Sequence, residues 1–141
     1  MKVGFIYSVP LTEWVSNIIP VTKKQGKIRV FFDYRDRNVA FPKDNYPTPF
    51  IDQIIDNCVG SVIFSFMDGF SGYNQIEILP LDQHKTDFVC PWGTFLYQKF
   101  PFGLKNVGAT FQRAMSYAFH NIKHIIDPYL DDLPAFRSSG R

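Results

Sequence analysis

Two short stretches of this sequence hold carboxylates where they could do chemistry. One is Tyr129-Leu130-Asp131-Asp132, entered through Ile125-Ile126-Asp127-Pro128 and left through Leu133-Pro134-Ala135-Phe136. Adjacent acids with apolar residues on both sides predict a tight β-turn that holds charge at the lip of a core. Like charges that close raise each other's cost of ionising, so the pair is favourable mainly when a cation sits between its oxygens. A solvated Asp-Asp turn is the plain alternative. What weighs against it is a second acid, Asp68, in Phe64-Ser65-Phe66-Met67-Asp68-Gly69-Phe70-Ser71-Gly72-Tyr73. Alternation over a strand at 62–68 puts Phe64, Phe66 and Asp68 on one side and Ile63, Ser65 and Met67 on the other. An acid at a strand end, followed by Gly69 and Gly72, stands where backbone amides can approach a ligand closely.

The remaining elements must bring these stretches together. An apolar piece from residue 3 leads to Pro10 and a turn or short helix at Thr12–Ser16. Strands at 18–22 and 28–34 flank Lys23-Lys24-Gln25-Gly26-Lys27, a basic connector that reads as a hairpin. A Pro-rich connector over 39–49 ends at a helix start, with Thr48 as N-cap and Pro49 as first helical residue. Phe50, Ile51, Ile54, Ile55 and Cys58 then share one face, which reads as core packing, and Gly60 marks the stop. A strand at Gln75–Leu79, a polar or helical piece at Pro80–Thr86 and a hairpin of Phe88–Cys90 with Phe95–Tyr97 follow. After the loop Phe100–Lys105, Asn106 can cap a helix running to about Ile122. Its apolar stripe is Val107, Phe111, Met115, Ala118, Phe119 and Ile122, with Gln112, Arg113, Ser116 and His120 mostly off it. A last strand from Ile125 delivers the Asp-Asp turn.

Composition narrows the class. At 141 residues, with 45% hydrophobic and 17% aromatic content, the chain is a single folded domain. A net charge of +2 names no partner. Its distribution is more informative: Lys23, Lys24, Lys27, Arg29, Arg35 and Arg37 crowd residues 21–38, which suits a polyanion or a solvated face. Cys58 and Cys90 lack metal-ligand spacing and read as buried thiols of a reducing compartment. His84, His120 and His124 form no ligand cluster. No apolar run approaches a membrane span and no signal peptide is visible, so the expectation is an intracellular chain without a membrane partner.

Taken together, Tyr-Leu-Asp-Asp and Met-Asp-Gly-Phe-Ser-Gly-Tyr resemble motifs C and A of reverse transcriptases, in the flavour of gypsy-type long-terminal-repeat retrotransposons. The resemblance runs from about Val21 to Phe136. It implies an α+β fold of fingers and palm, an antiparallel palm sheet backed by helices, with about 1–60 fingers-like and about 61–141 palm. It implies RNA-directed DNA polymerase chemistry at two Mg²⁺ ions, or Mn²⁺ in their place, with Asp68, Asp131 and Asp132 as ligands and a carbonyl from Gly69. Arg29, Lys23 and Lys24 would reach the triphosphate, unless they are simply a charged hairpin. Ser71 and Gly72 would hold it by main-chain amides, and Tyr73 would gate the sugar unless it is an ordinary core aromatic. Phe102 would lie beside the incoming nucleotide, and Gln112 and Tyr129 on template and primer.

Implied partners are an RNA or DNA template with primer, dNTP, and the rest of a Pol polyprotein. The family's location is a cytoplasmic virus-like particle. The chain stops shortly after the Asp-Asp turn, so thumb and ribonuclease H are expected to be absent from it. A catalytically inactive remnant that folds and binds nucleic acid weakly is the alternative, and a structural protein whose acids are unrelated to metal is a third. Three residues depart from the family pattern: Arg37 at an inward position, Gly108 in place of an early proline in motif B, and Pro134 just after the acids. A buried charge at Arg37 costs stability unless it is paired, and Pro134 is expected only at a strand edge.

Overall fold

The computed structural model describes residues 4–69 and 71–138, except for the side chain of Ser138. Phe70 of the second acidic stretch and the first residue of the N-terminal apolar piece lie outside the described residues. The chain forms two compact units, Met1–Lys43 with Tyr73–Val107, and Asp44–Gly72 with Gly108–Arg141. The polymer leaves the first unit after Lys43 and returns to it at Tyr73.

The first unit is built on a five-stranded sheet in the order β1-β6-β5-β2-β3. Its strands are β1 (Ile6–Val9), β2 (Ser16–Thr22), β3 (Ile28–Phe32), β5 (Phe88–Cys90) and β6 (Gly93–Tyr97); β4 belongs to the second unit. Branched residues at Ile18, Ile19, Val21, Ile28 and Val30 suit β2 and β3 to a pleated surface. Gly26 at φ 76° closes their turn, its amide donating to the Lys23 carbonyl at 2.8 Å. The two hairpins join through a parallel pairing of β2 with β5, Ser16 opposite Phe88. A 3-10 segment at Pro80–Thr86 matches the expected helical piece. The expected strand at Gln75–Leu79 is instead a 3-10 turn, Gly72–Gln75, followed by one isolated bridge, Glu77 with Lys99. The Ile76 amide is drawn back to the Tyr73 carbonyl at 3.2 Å, which curls the backbone where a strand would extend it.

Aromatic rings fill this unit. Phe32 lies 4.6 Å from Phe88 and 5.4 Å from Tyr97 between ring centres, and Tyr34 donates its hydroxyl to the Thr86 carbonyl at 3.0 Å. A short helix that the sequence reading did not anticipate, α1 (Arg35–Ala40), carries Arg37 into the same interior. Arg37 is 2% exposed, ion-paired with the fully buried Asp87, and donates to the Lys85 carbonyl at 2.6 Å. The charge out of place in the sequence therefore has the partner that burial demands.

The second unit holds α2 (Ile51–Cys58), β4 (Ser61–Asp68), most of α3 (Val107–Ala118) and β7 (Asp132–Ser138). Helix α2 starts later than expected: Phe50, in extended backbone, takes the N-cap position without a side-chain bond, and Thr48 does not cap it. Its apolar face is only partly core. Ile54 is buried, but Ile51 and Ile55 remain exposed, and Ile54, Ile55, Cys58, Val59, Phe64 and Phe66 line an apolar cleft of about 260 Å³. Helix α3 ends at Ala118 and a 3-10 turn, His120–Ile122, follows. Asn106 sends its side-chain amide to the Pro42 carbonyl at 3.0 Å. The expected strand from Ile125 reduces to two bridges, Ile126 with Ala135 and Tyr129 with Asp132.

Pro134 lies within β7, an edge strand of the two-stranded sheet, opposite Phe66. Its carbonyl accepts from the Asp127 amide at 3.1 Å, so its missing N–H also faces the irregular 125–129 segment and not β4. The ladder with β4 is left intact, which is how a proline is tolerated there.

Two stability predictions follow for the first unit. Arg37→Met strands the Asp87 carboxylate and should cost about 3–5 kcal/mol in urea unfolding, whereas Arg37→Met with Asp87→Leu should recover most of that loss. Burial raises the phenol pKa of Tyr34, and pushes that of Tyr97 from 10.0 up to about 12. Groups raised on folding stabilise fully below their unfolded value, so this contribution is intact below pH 10.0 and drains away as pH climbs through about 12. Circular dichroism should therefore hold up to pH 10.0 and fall as the pH climbs toward about 12.

Candidate active site

Antiparallel pairing of β4 with β7 decides which acids meet. The register runs Phe64 with Phe136, Phe66 with Pro134, Met67 with Leu133 and Asp68 with Asp132. Residues directly opposite in such a ladder point to the same face, with Cα atoms roughly 4.5–5.5 Å apart. Asp68 and Asp132 are thus cross-strand neighbours at the open end of the pair, and both are exposed. The turn ahead of β7 is as tight as expected. Tyr129 and Asp132 exchange both backbone bonds, each 2.9 Å, leaving Leu130 and Asp131 as a two-residue loop. The half-buried Asp131 is anchored to the end of β4 through its carbonyl, which accepts from the Gly69 amide at 2.6 Å.

The three carboxylates therefore come together as a facing pair with a neighbour in the turn. Among the described residues no three acidic, histidine or cysteine side chains form a group that could by itself hold a metal ion. Nor, among those residues, does any salt bridge fall on Asp68, Asp131 or Asp132. Like charges directly opposite in a ladder are destabilising, and here no basic side chain relieves them. Hard oxygen donors of this kind suit Mg²⁺ or Mn²⁺, which take few protein carboxylates and keep several waters. Asp68, Asp131 and Asp132 supply oxygen donors of that kind.

Around the acids the side chains are arranged differently from the sequence reading in two places. Gln112 was expected on template and primer, off the apolar stripe of its helix. It is 2% exposed. Its Nε2 donates to the Pro128 carbonyl at 2.7 Å and its Oε1 accepts from the Leu130 amide at 2.8 Å. Both ends of the side chain bond to the hairpin backbone, and its burial keeps it from a template. No local signal along the helix marks this position, because its partners come from residues 128–130.

Gly72 was expected to offer its amide to a phosphate. That amide instead donates to the Gly69 carbonyl at 2.8 Å, and a Cβ at Gly72 would lie 2.7 Å from the Phe111 ring. Glycine is required there by packing. Ser71 next to it is exposed at φ 49°, a left-handed backbone that turns the chain out of the strand. Tyr129 is half-buried and engaged through its backbone in the hairpin.

The other expected nucleotide contacts belong to the first unit. Lys23 and Lys24 sit in the turn between β2 and β3, Arg29 lies in β3 opposite Val21, and all three are exposed. Tyr73 packs edge-on against Phe102, ring centres 5.0 Å apart.

Comparison with known proteins gives this arrangement a context. The family described as Reverse transcriptase (RNA-dependent DNA polymerase) matches residues 21–140. The Transposon Tf2-3 polyprotein of Schizosaccharomyces pombe is 35% identical over 115 residues, covering 80% of this chain and 9% of the polyprotein. The Tf2-7 polyprotein of the same organism is 34% identical over the same length. Among solved structures, the foamy viral protease-reverse transcriptase in complex with double-stranded DNA superposes with a TM-score of 0.86 at 25% identity, over 98% of this chain and 24% of that one. The same enzyme with an RNA/DNA hybrid gives 0.85 at 24% identity, over 96% of this chain and 18% of that one. The chain therefore spans about a tenth of the curated polyproteins it matches.

The unrelieved acidic pair makes a measurable prediction. Without divalent cations, Asp68→Asn or Asp132→Asn should raise stability by about 0.2–1 kcal/mol, because a like-charge contact is removed. Adding Mg²⁺ or Mn²⁺ should raise the unfolding midpoint of the parent chain and have little effect on either variant. Equal responses in all three chains would rule the pair out as a cation site.

Proposed function

This chain belongs to the reverse transcriptase family, and we propose that it is the segment of such an enzyme that holds the carboxylates of nucleotidyl transfer, extending a primer 3′-hydroxyl with dNTP on an RNA or DNA template. The observation that carries this reading is the register placing Asp68 opposite Asp132 with Asp131 in the adjoining turn. Two Mg²⁺ ions bound there, or Mn²⁺, would supply activation of the attacking hydroxyl and neutralisation of the pyrophosphate that leaves. Asp68, Asp131 and Asp132 would hold them, with a carbonyl from Gly69 or its neighbour as a further oxygen donor. Phosphoryl transfer asks little more of side chains than position and charge.

Other residues bind and orient. Lys23, Lys24 and Arg29 present cations to the triphosphate, with the exposed Ser71 at the turn beside the acids. Tyr73, steadied by Phe102, lies under the sugar and disfavours a 2′-hydroxyl. Tyr129 faces the primer end from the hairpin. The nucleic-acid complexes solved for the foamy viral relatives, one with double-stranded DNA and one with an RNA/DNA hybrid, support a template-primer duplex as partner. The Tf2 relatives, transposon polyproteins by name, support a place within a longer polyprotein of a gypsy-type element. Among the described residues no helix is long and apolar enough to cross a membrane.

The test is primer extension on an RNA template, by the chain alone and fused in frame to the thumb region of a relative. Extension that Asp68→Asn or Asp131→Asn lowers by about a thousandfold or more is the expected result, since metal-borne charge stabilisation is worth several kcal/mol. Absence of extension from either protein would leave a folded, non-catalytic relative of the enzyme.

A further inference from the structure

The loop that presents Asp131 is a difficult one to hold. It has two residues, and the first, Leu130, stands at φ 53°. A primed hairpin turn needs that left-handed backbone at its first central position and normally takes it with glycine. Leucine adopts it only against a steric clash between its Cβ and its own backbone. Something outside the loop must therefore hold it.

Three hydrogen bonds do so, and two come from one side chain. Gln112 accepts from the Leu130 amide at 2.8 Å and donates to the Pro128 carbonyl at 2.7 Å, gripping the residue in the strained conformation and the one that enters the turn. The third runs from the Gly69 amide to the Asp131 carbonyl. One helical turn before Gln112, Gly108 faces the Leu130 side chain: a Cβ there would make ordinary contact at 3.4 Å from Leu130 Cδ2. The amide is 2% exposed, so water does not compete for either bond.

We propose that Gln112 is a positioning residue for the acidic corner. It acts through the backbone of residues 128–130 to hold Asp131 and Asp132 against Asp68, and it does not read the template. This rests on the metal-site reading above and adds the group that makes the site rigid. Residues that orient metal ligands without touching the ion typically change metal affinity by about ten- to a hundred-fold when replaced.

The test uses the whole chain and Mn²⁺ alone as probe, with amide hydrogen exchange as a second readout. In the parent chain the Leu130 amide should exchange slowly although it sits in a two-residue turn; fast exchange there would overturn the proposal without any variant. Gln112→Leu should speed exchange at Leu130 and weaken Mn²⁺ binding about ten- to a hundred-fold. Gln112→Glu keeps the acceptor for Leu130 but loses the donor to Pro128, so a smaller loss is expected; it also serves if the leucine variant fails to fold. Faster exchange at Leu130 with Mn²⁺ affinity unchanged would overturn the positioning role. If Asp68→Asn and Asp131→Asn bind Mn²⁺ as the parent does, the metal-site reading falls and the proposed role falls with it. A slow Leu130 amide would then mark a purely structural clamp.

Discussion

The register between β4 and β7 is the constraint on which the site depends. Side chains alternate along a strand, so a slip of one residue would turn Asp68 away from Asp132 and exchange the two faces of the pair. The alignment has to survive a proline at position 134, and it does because that residue turns its missing donor toward the irregular 125–129 segment. It is also pinned at its end, where the Gly69 amide meets the Asp131 carbonyl just beyond the last rung. Two exposed carboxylates facing each other oppose this alignment. The backbone ladder, the tight turn and the buried amide of Gln112 hold them together regardless.

That tension is a recurring feature of the molecule. Leu130 and Ser71 both adopt left-handed backbone, and both flank the acids. Outliers of this kind persist only where their surroundings over-determine them, and they collect at functional sites. Gly72 shows the same economy of space from the other direction: the Phe111 ring of α3 leaves no room for a side chain just past the strand that ends in Asp68. Helix α3 thus acts on both acidic stretches through neighbouring residues, Phe111 beneath one and Gln112 beneath the other.

The first unit solves a different problem. Its interior is aromatic, and Arg37 enters it together with Asp87 and the Lys85 carbonyl. A buried ion pair of this kind adds little net stability but makes each partner costly to remove alone. In the sequence Arg37 looked like a departure from a pattern. In the fold it is half of a pair whose other half stands far along the chain.

Much of this protein was legible in its residues. The acids, the glycines beside them and their order along the chain were readable as a candidate site, because hard cations take oxygen donors. Hairpins at residues 16–32 and 88–97 were readable from branched and aromatic runs broken by turn residues, since those signals are local. The strand at Gln75–Leu79 and the cap at Thr48 were misread: the Ile76 amide turns back to the Tyr73 carbonyl, and Phe50 takes the cap position without a side-chain bond. Gln112 is the clearest case. Spacing along α3 put it off the apolar face, and only the approach of the 128–130 backbone turned that position inward and gave each end of the amide a partner. Sequence alone determined which groups could bind a cation; the tertiary structure decided which of them face each other and what holds them there, because register and side-chain-to-backbone bonds depend on segments that meet only after the chain has folded.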